Sequence, residues 1–213
     1  MKYAARTIEE AKKLRIIDDA LFRLIAIRKD VCQEILRTLL DDEKLIVNDV
    51  TVQAREVSLN IPNIKILYIT EYDILENKQA ITHISRCQLK GKSYAPVNDG
   101  EDIILANAKS RQRNKHTYLL KLFLKSDSFY DEMYPALSDA IRHFKNSEKG
   151  RDEVCKSIET YATEEAIDAV IKTCIAHKDS LEETIDFVKE QFMKVNREYI
   201  ISRFELLSVS NNN

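Results

Sequence analysis

The stretch KSRQRNKH carries Lys109, Arg111, Arg113 and Lys115 on alternate positions, the densest cationic run in the chain. Guanidinium and ammonium groups spaced this way can hold phosphate oxygens through charge-assisted hydrogen bonds. The competing reading is a solvated loop, since no aromatic side chain is interleaved on which a base could stack. Asp18 and Asp19 stand side by side before LFRLI. They read either as a helix opening, where carboxylates complement exposed backbone N–H groups, or as a metal-facing acid that needs partner acids elsewhere. Asp99, Glu101 and Asp102 beside Gly100 lack the full ligand series of a calcium loop and read as a turn plus N-cap. His83, His116, His143 and His177 fall in separate elements or links, with no Ser, Cys or acid at an offset that signals a catalytic triad. Cys32, Cys87, Cys155 and Cys174 are scattered, without a CxxC pair or a His at zinc-ligand spacing. They read as buried free thiols rather than metal ligands or a disulfide.

The elements that position these groups are mostly helical by composition. At 213 residues the chain can bury one sizeable core, with or without a helical appendage, and 44% hydrophobic with 32% charged residues is an ordinary globular balance. Trp is absent and Gly and Pro number three each, so few breakers interrupt helices. Lys plus Arg 33 against Asp plus Glu 35 leaves a net charge of −2. That balance advertises no global attraction to nucleic acid or an anionic membrane, and any phosphate contact must come from a local patch. The opening MKYAARTIEEAKKL lacks an apolar signal core, and no stretch approaches the length of a membrane span. The expected setting is the cytoplasm, without a membrane partner.

Thr7 with Glu10 forms a capping-box pattern for a helix running to about Ile17. DDALFRLIAIRKDVCQEILRTLL has a helical apolar period with a break near Arg28, and LIVNDVTVQAREVSL turns to β-branched residues. IKILYI (64–69) reads as a buried strand, with THISRC (82–87) as its hairpin partner across a turn at Asn77 and Lys78. Pro96, Asn98, Asp99 and Gly100 make a turn before another apolar segment. Beyond that point the pattern is helical: Pro135 opens one helix, Gly150 stops one, Ser180 caps the last, and SVSNNN frays.

In their order and character these segments resemble the PD-(D/E)xK nuclease-family transposases of bacterial mobile elements. The resemblance is carried by DDALFRLI through RTLLDDEKLIVNDVTVQAREVSL, by ILYITEYDIL followed by THISRC, by PVNDGEDIILAN, and by SFYDEMYPALSDAIRHFKNSEKGRDEVCKSIETYA, and spans Ile16 to about Ala162. It implies an α+β fold with a restriction-endonuclease-like sheet flanked by helices. It also implies DNA phosphodiester cleavage by a magnesium ion held between two strand carboxylates. A Lys or Gln two positions after the second acid shares its face, because strand side chains alternate.

That signature is missing. Glu10-Ala11-Lys12 lies in a helix, Glu76-Asn77-Lys78 lies in the turn with Asp73 ahead of it, and Asp42-Glu43-Lys44 precedes the first strand. Where the family places its two acid-bearing strands, this chain has only Leu59, Asn60, Ile61, Pro62 and Asn63. A misaligned relative with dispersed acids is the alternative. The expected fold is therefore α+β with a small, truncated sheet: residues 1–150 a degenerate nuclease domain, 151–213 a helical extension. The expected function is that of an inactive nuclease homologue with no catalytic or metal-binding residue and no cofactor, where intact relatives use magnesium. DNA contact would fall to Lys109, Arg111, Arg113 and Lys115. The alternative is a helical interaction or oligomerisation module. There the stripe Val154, Ile158, Ile167, Val170, Ile171, Ile175, Ile185, Val188 and Phe192 would meet a second copy, a full-length homologue or another partner, or else pack within its own chain.

Overall fold

The computed structural model describes residues 3–50, 64–97 and 101–210. Within them the chain is α+β, with eight helices, a three-stranded mixed sheet and a two-stranded ribbon. It divides into two compact units, Met1–Cys155 and Lys156–Asn213. This division and the expected one at residue 150 both fall inside a single helix.

In the first unit, α1 (Ala5–Lys13), α2 (Asp19–Ala26) and α3 (Lys29–Leu39) precede the sheet. The break near Arg28 is present, with Arg28 as the N-cap of α3. The capping box at Thr7 is not: α1 begins at Ala5 behind Ala4, without a side-chain cap, and stops at Lys13 rather than Ile17. Its carboxyl end is closed from a distance. The Lys145 ammonium donates to the carbonyls of Ala11, Lys12 and Leu14 at 3.1, 3.0 and 2.6 Å, and burial holds its pKa below the usual lysine value.

IKILYI does form a strand, β1 (Ile64–Thr70), but THISRC is not its hairpin partner. That segment splits into β2 (Ile81–Ile84) and β3 (Cys87–Lys90); β3 pairs with β4 (Ser93–Pro96). The strand between β1 and β2 is β5 (Glu101–Asn107), parallel to β1 with Ile64 opposite Glu101 and antiparallel to β2 with Ile81 opposite Ala106. The physical reason lies in β5 itself: its Ile104 and Ala106 are fully buried, so it occupies the most enclosed position and displaces the sequence-local pairing. Leu45–Val50, expected as the start of a strand, has no strand structure, and the rest of that segment with the link Leu59–Asn63 lies outside the described residues, as do Asn98, Asp99 and Gly100.

Helices α2, α3, α4 (Lys115–Phe123) and α5 (Pro135–Asn146) bury Leu21, Ile25, Ile35, Leu39, Leu119, Phe123, Leu137 and Ile141 against one another. Each fully buried side chain of this kind contributes about 1.5–3 kcal/mol. Pro135 stands at the first turn of α5, as expected. No residue of that helix caps it. The cap comes from α3: Glu34 accepts the N–H groups of Ala136 and Leu137 at 3.2 and 2.9 Å.

Gly150 does not stop a helix; it sits in the first turn of α6 (Glu148–His177). A side chain there would meet the backbone of α5, since an ideal Cβ falls 2.1 Å from the His143 carbonyl oxygen. Close approach, rather than termination, is what this glycine permits.

In the second unit, Ser180 is the N-cap expected of it, in a capping box with Glu183, but it caps α7 (Leu181–Gln191) rather than the last helix, because the segment expected as one helix breaks after Gln191 and α8 (Arg197–Ser210) follows. Ile167, Ile171, Ile185, Val188 and Ile200 are its buried centre, with Val170, Ile175 and Phe192 packed against them. Most of the candidate interaction stripe is therefore used inside this unit. Arg203 donates two hydrogen bonds to Asp168, Nε to Oδ1 at 2.8 Å and Nη2 to Oδ2, tying α8 to α6. Asp168→Ala is expected to lower the stability of this unit by about 2 kcal/mol in urea unfolding, less than a fully buried pair would cost because Arg203 can turn toward water. No helix among the described residues is long and apolar enough to cross a membrane.

Candidate functional site

The parallel strands β1 and β5 end side by side, Thr70 opposite Asn107, and their following residues meet at one edge of the sheet. Open sheets with parallel strands place ligands at such carboxyl ends. Here Ala108 donates to the Thr70 carbonyl at 2.8 Å, and Asn107 donates to the Ala80 carbonyl at 2.9 Å. The basic run follows directly. Its backbone is held by side chains: the Asn107 side chain accepts from Lys109 N, Ser110 Oγ donates to the Lys78 carbonyl, and Gln112 Oε1 accepts from Ala80 N at 3.0 Å. Asn114 then caps α4 by accepting from Thr117 N at 2.9 Å.

The four cations of the run have different fates. Lys109 reaches Glu71 at 3.3 Å, and Glu71 also takes Arg15 at 2.5 Å. Arg15 bridges onward to Asp18 at 2.9 Å. The Arg15 guanidinium, with Lys109 adding to it, holds the Glu71 carboxyl below its ordinary pKa, and Asp18 together with Glu71 keeps Arg15 firmly charged. Lys115 lies in α4 and reaches Asp41 at 2.7 Å, with His116 3.0 Å from the same carboxylate in poor alignment for a hydrogen bond. Lys115 first and His116 second hold Asp41 below the usual carboxylate range. Arg111 and Arg113 are exposed on the loop, and neither is paired with a carboxylate among the described residues. Sequence spacing groups these four residues. The fold commits two of them to acids and leaves two facing solvent.

The acids singled out for metal binding do not converge. Asp18, not Asp19, is the engaged member of its pair: it is the N-cap residue of α2 but accepts from Arg15 N at 2.7 Å, while Asp19 is exposed in the first turn. Asp73 spends both oxygens on the turn, accepting from Asn77 N at 3.2 Å and Lys78 N at 2.7 Å. Glu76 and Lys78 adopt left-handed backbone in that turn, with φ of 52° and 61°, so Glu76-Asn77-Lys78 cannot present a strand face. Lys12 is paired with Glu9 on α1, and Asp42 accepts from Lys44 N beyond the end of α3. Among the described residues no three of His, Cys, Asp and Glu come together in a way that could hold a metal ion. The donor set among the described residues does not fit the magnesium ion of the resembling family.

One constellation escaped the spacing argument. Ser147 Oγ lies 3.3 Å from His143 Nδ1, and His143 Nε2 lies 3.4 Å from Glu153. The order suggests a nucleophile, a base and an orienting acid. The hydroxyl is already used, however: it donates to the His143 carbonyl at 2.8 Å and accepts from Gly150 N at 2.9 Å. It is the cap that joins α5 to α6, and the longer approach to the imidazole is a by-product of that turn. None of the four cysteines is in a disulfide; Cys155 and Cys174 are buried, Cys32 half-buried and Cys87 exposed, so burial holds for two of the four thiols.

What this edge of the sheet offers chemically is a hydrogen-bonded loop carrying two guanidinium groups without a carboxylate partner among the described residues, while β1 is followed by the exposed Tyr72. Such a loop suits phosphate oxygens. Comparison with protein-family models, curated proteins and solved structures gave no match for this chain.

Proposed function

We propose that this chain is a PD-(D/E)xK nuclease homologue of the transposase-associated kind, restriction-endonuclease-like in descent, that binds DNA without cutting it. The observation that carries the reading is the division of labour at the carboxyl ends of β1 and β5. The carboxylate there, Glu71, is saturated by Arg15 and Lys109, while Arg111 and Arg113 stay open to a phosphate. A cleaving enzyme of this kind needs the opposite arrangement, acids left open for a cation. The helical-module reading has less support, because Ile167, Ile171, Ile185 and Val188 are buried in their own unit. A bacterial, cytoplasmic setting on a mobile element, and association with a second copy or a full-length homologue, belong to the same proposal.

The test has two arms. Plasmid DNA incubated with the protein and magnesium or manganese is expected to remain supercoiled. Metal-dependent nicking that disappears in Asp19→Ala or Glu76→Ala would overturn the reading. In fluorescence anisotropy at low salt, Arg111→Ala/Arg113→Ala is expected to weaken DNA binding and to reduce the salt slope by about two, each arginine accounting for one neutralised phosphate.

A further inference from the structure

The ribbon β3–β4 is unlike the rest of the fold: all of β3 is exposed, and so is β4 apart from the half-buried Ala95. Leu89 and Tyr94 face water at 59% and 75% of their full exposure. A two-stranded hairpin without a covering layer is marginal in water, so a ribbon of this kind gains from a partner. Its charge says which. From Ser85 to Val97 there are three cations, Arg86, Lys90 and Lys92, and no Asp or Glu. Lys90 and Lys92 have no carboxylate partner among the described residues, in contrast to Lys109 and Lys115 in the run after β5.

The register sorts the ribbon into two faces. Gln88 opposite Ala95 and Lys90 opposite Ser93 share one, while Leu89 opposite Tyr94 and Cys87 opposite Pro96 share the other. Gly91, at φ 64° with open space around it, leads a two-residue turn that sets Lys92 at the tip. Lys, Gln and Ser are the side-chain types that hydrogen-bond base edges, and a ribbon with strands ~4.8 Å apart enters a major groove ~12 Å wide. Because Ile84 pairs with Ile103, the ribbon springs from the amino end of β5, away from the Glu71 edge.

We propose that β3–β4 is a second binding surface for duplex DNA, its Gln88, Lys90 and Ser93 face turned to the major groove and Lys92 to the phosphates. This rests on the DNA association proposed above and adds to it a surface that the loop reading does not contain. An A-form RNA duplex, whose major groove is too narrow to admit the ribbon, is a poor ligand.

The experiment titrates the full chain against a labelled DNA duplex, an RNA duplex of the same sequence and phosphatidylserine vesicles. Lys90→Gln/Lys92→Gln is expected to weaken DNA binding about tenfold at low salt and to lower the salt slope by about two, with Leu89→Ser/Tyr94→Ser retaining affinity. RNA binding as tight as DNA, vesicle binding in place of DNA, or weakening only in the Leu89/Tyr94 variant overturns the proposal. If Arg111→Ala/Arg113→Ala abolishes DNA binding while the lysine variant binds normally, the ribbon proposal fails and the loop reading stands. If the unaltered chain binds no DNA, both fail. Circular dichroism of each variant separates a binding defect from a folding defect.

Discussion

Gly150→Ala is expected to destabilise the first unit by roughly 3 kcal/mol, the upper end of what overpacking a well-filled site costs. In an ordinary helix the same change stabilises by about 1 kcal/mol, so even the sign is informative. The added Cβ would fall 2.1 Å from the His143 carbonyl oxygen, 2.6 Å from its carbon and 2.8 Å from Phe144 Cα. These are backbone atoms of α5 and cannot rotate aside. Relief requires α6 to move away, which breaks the Ser147 hydroxyl's link between the His143 carbonyl and Gly150 N. Urea unfolding followed by circular dichroism reads the effect; a variant as stable as the parent would refute this close approach of the two helices.

The second large effect is expected at Glu34, whose carboxylate serves the open N-terminus of α5 from another helix. Glu34→Ala leaves the Ala136 and Leu137 N–H groups without their acceptor and is expected to cost about 2–3 kcal/mol. Its pH dependence follows from burial, which raises the Glu34 pKa more than the two N–H bonds lower it, with Asp30 and Asp131 adding to the rise. The folded chain thus holds this proton to higher pH than the unfolded chain does. The group's contribution to stability is full below the unfolded value, near 4.5, and is lost as pH rises through the raised folded value. Glu34→Gln, which cannot ionise, is therefore expected to gain on the parent protein as pH rises across that window. A shift in the opposite direction would mean that the helix N-terminus outweighs desolvation at this carboxylate.

How much of the fold is legible in the sequence depends on whether the deciding interaction is local. The break at Arg28, Pro135 at a helix start and Ser180 as an N-cap are written within a few residues of chain, and each is present. The box at Thr7 is equally local in pattern, yet α1 starts two residues before it and ends where Lys145 takes its carbonyls. IKILYI announces a strand through its apolar content, but not that its partner is Glu101–Asn107. THISRC reads as one strand because nothing in its composition marks Ser85 and Arg86 as the point where pairing switches from β5 to β4. At the candidate site the basic run is visible as composition. That Glu71 and Asp41 claim two of its members is not, since neither acid is near them in sequence.

The pairing of β1 with β5 also sets a timetable. Ile64 finds its partner only at Glu101, so an apolar strand leaves the ribosome well before the segment that will shelter it. At ordinary elongation rates the wait is roughly two to seven seconds, long on the scale of hydrophobic collapse. Nascent chains halted anywhere before β5 would display IKILYIT without a mate, the kind of segment that chaperones hold and aggregates recruit.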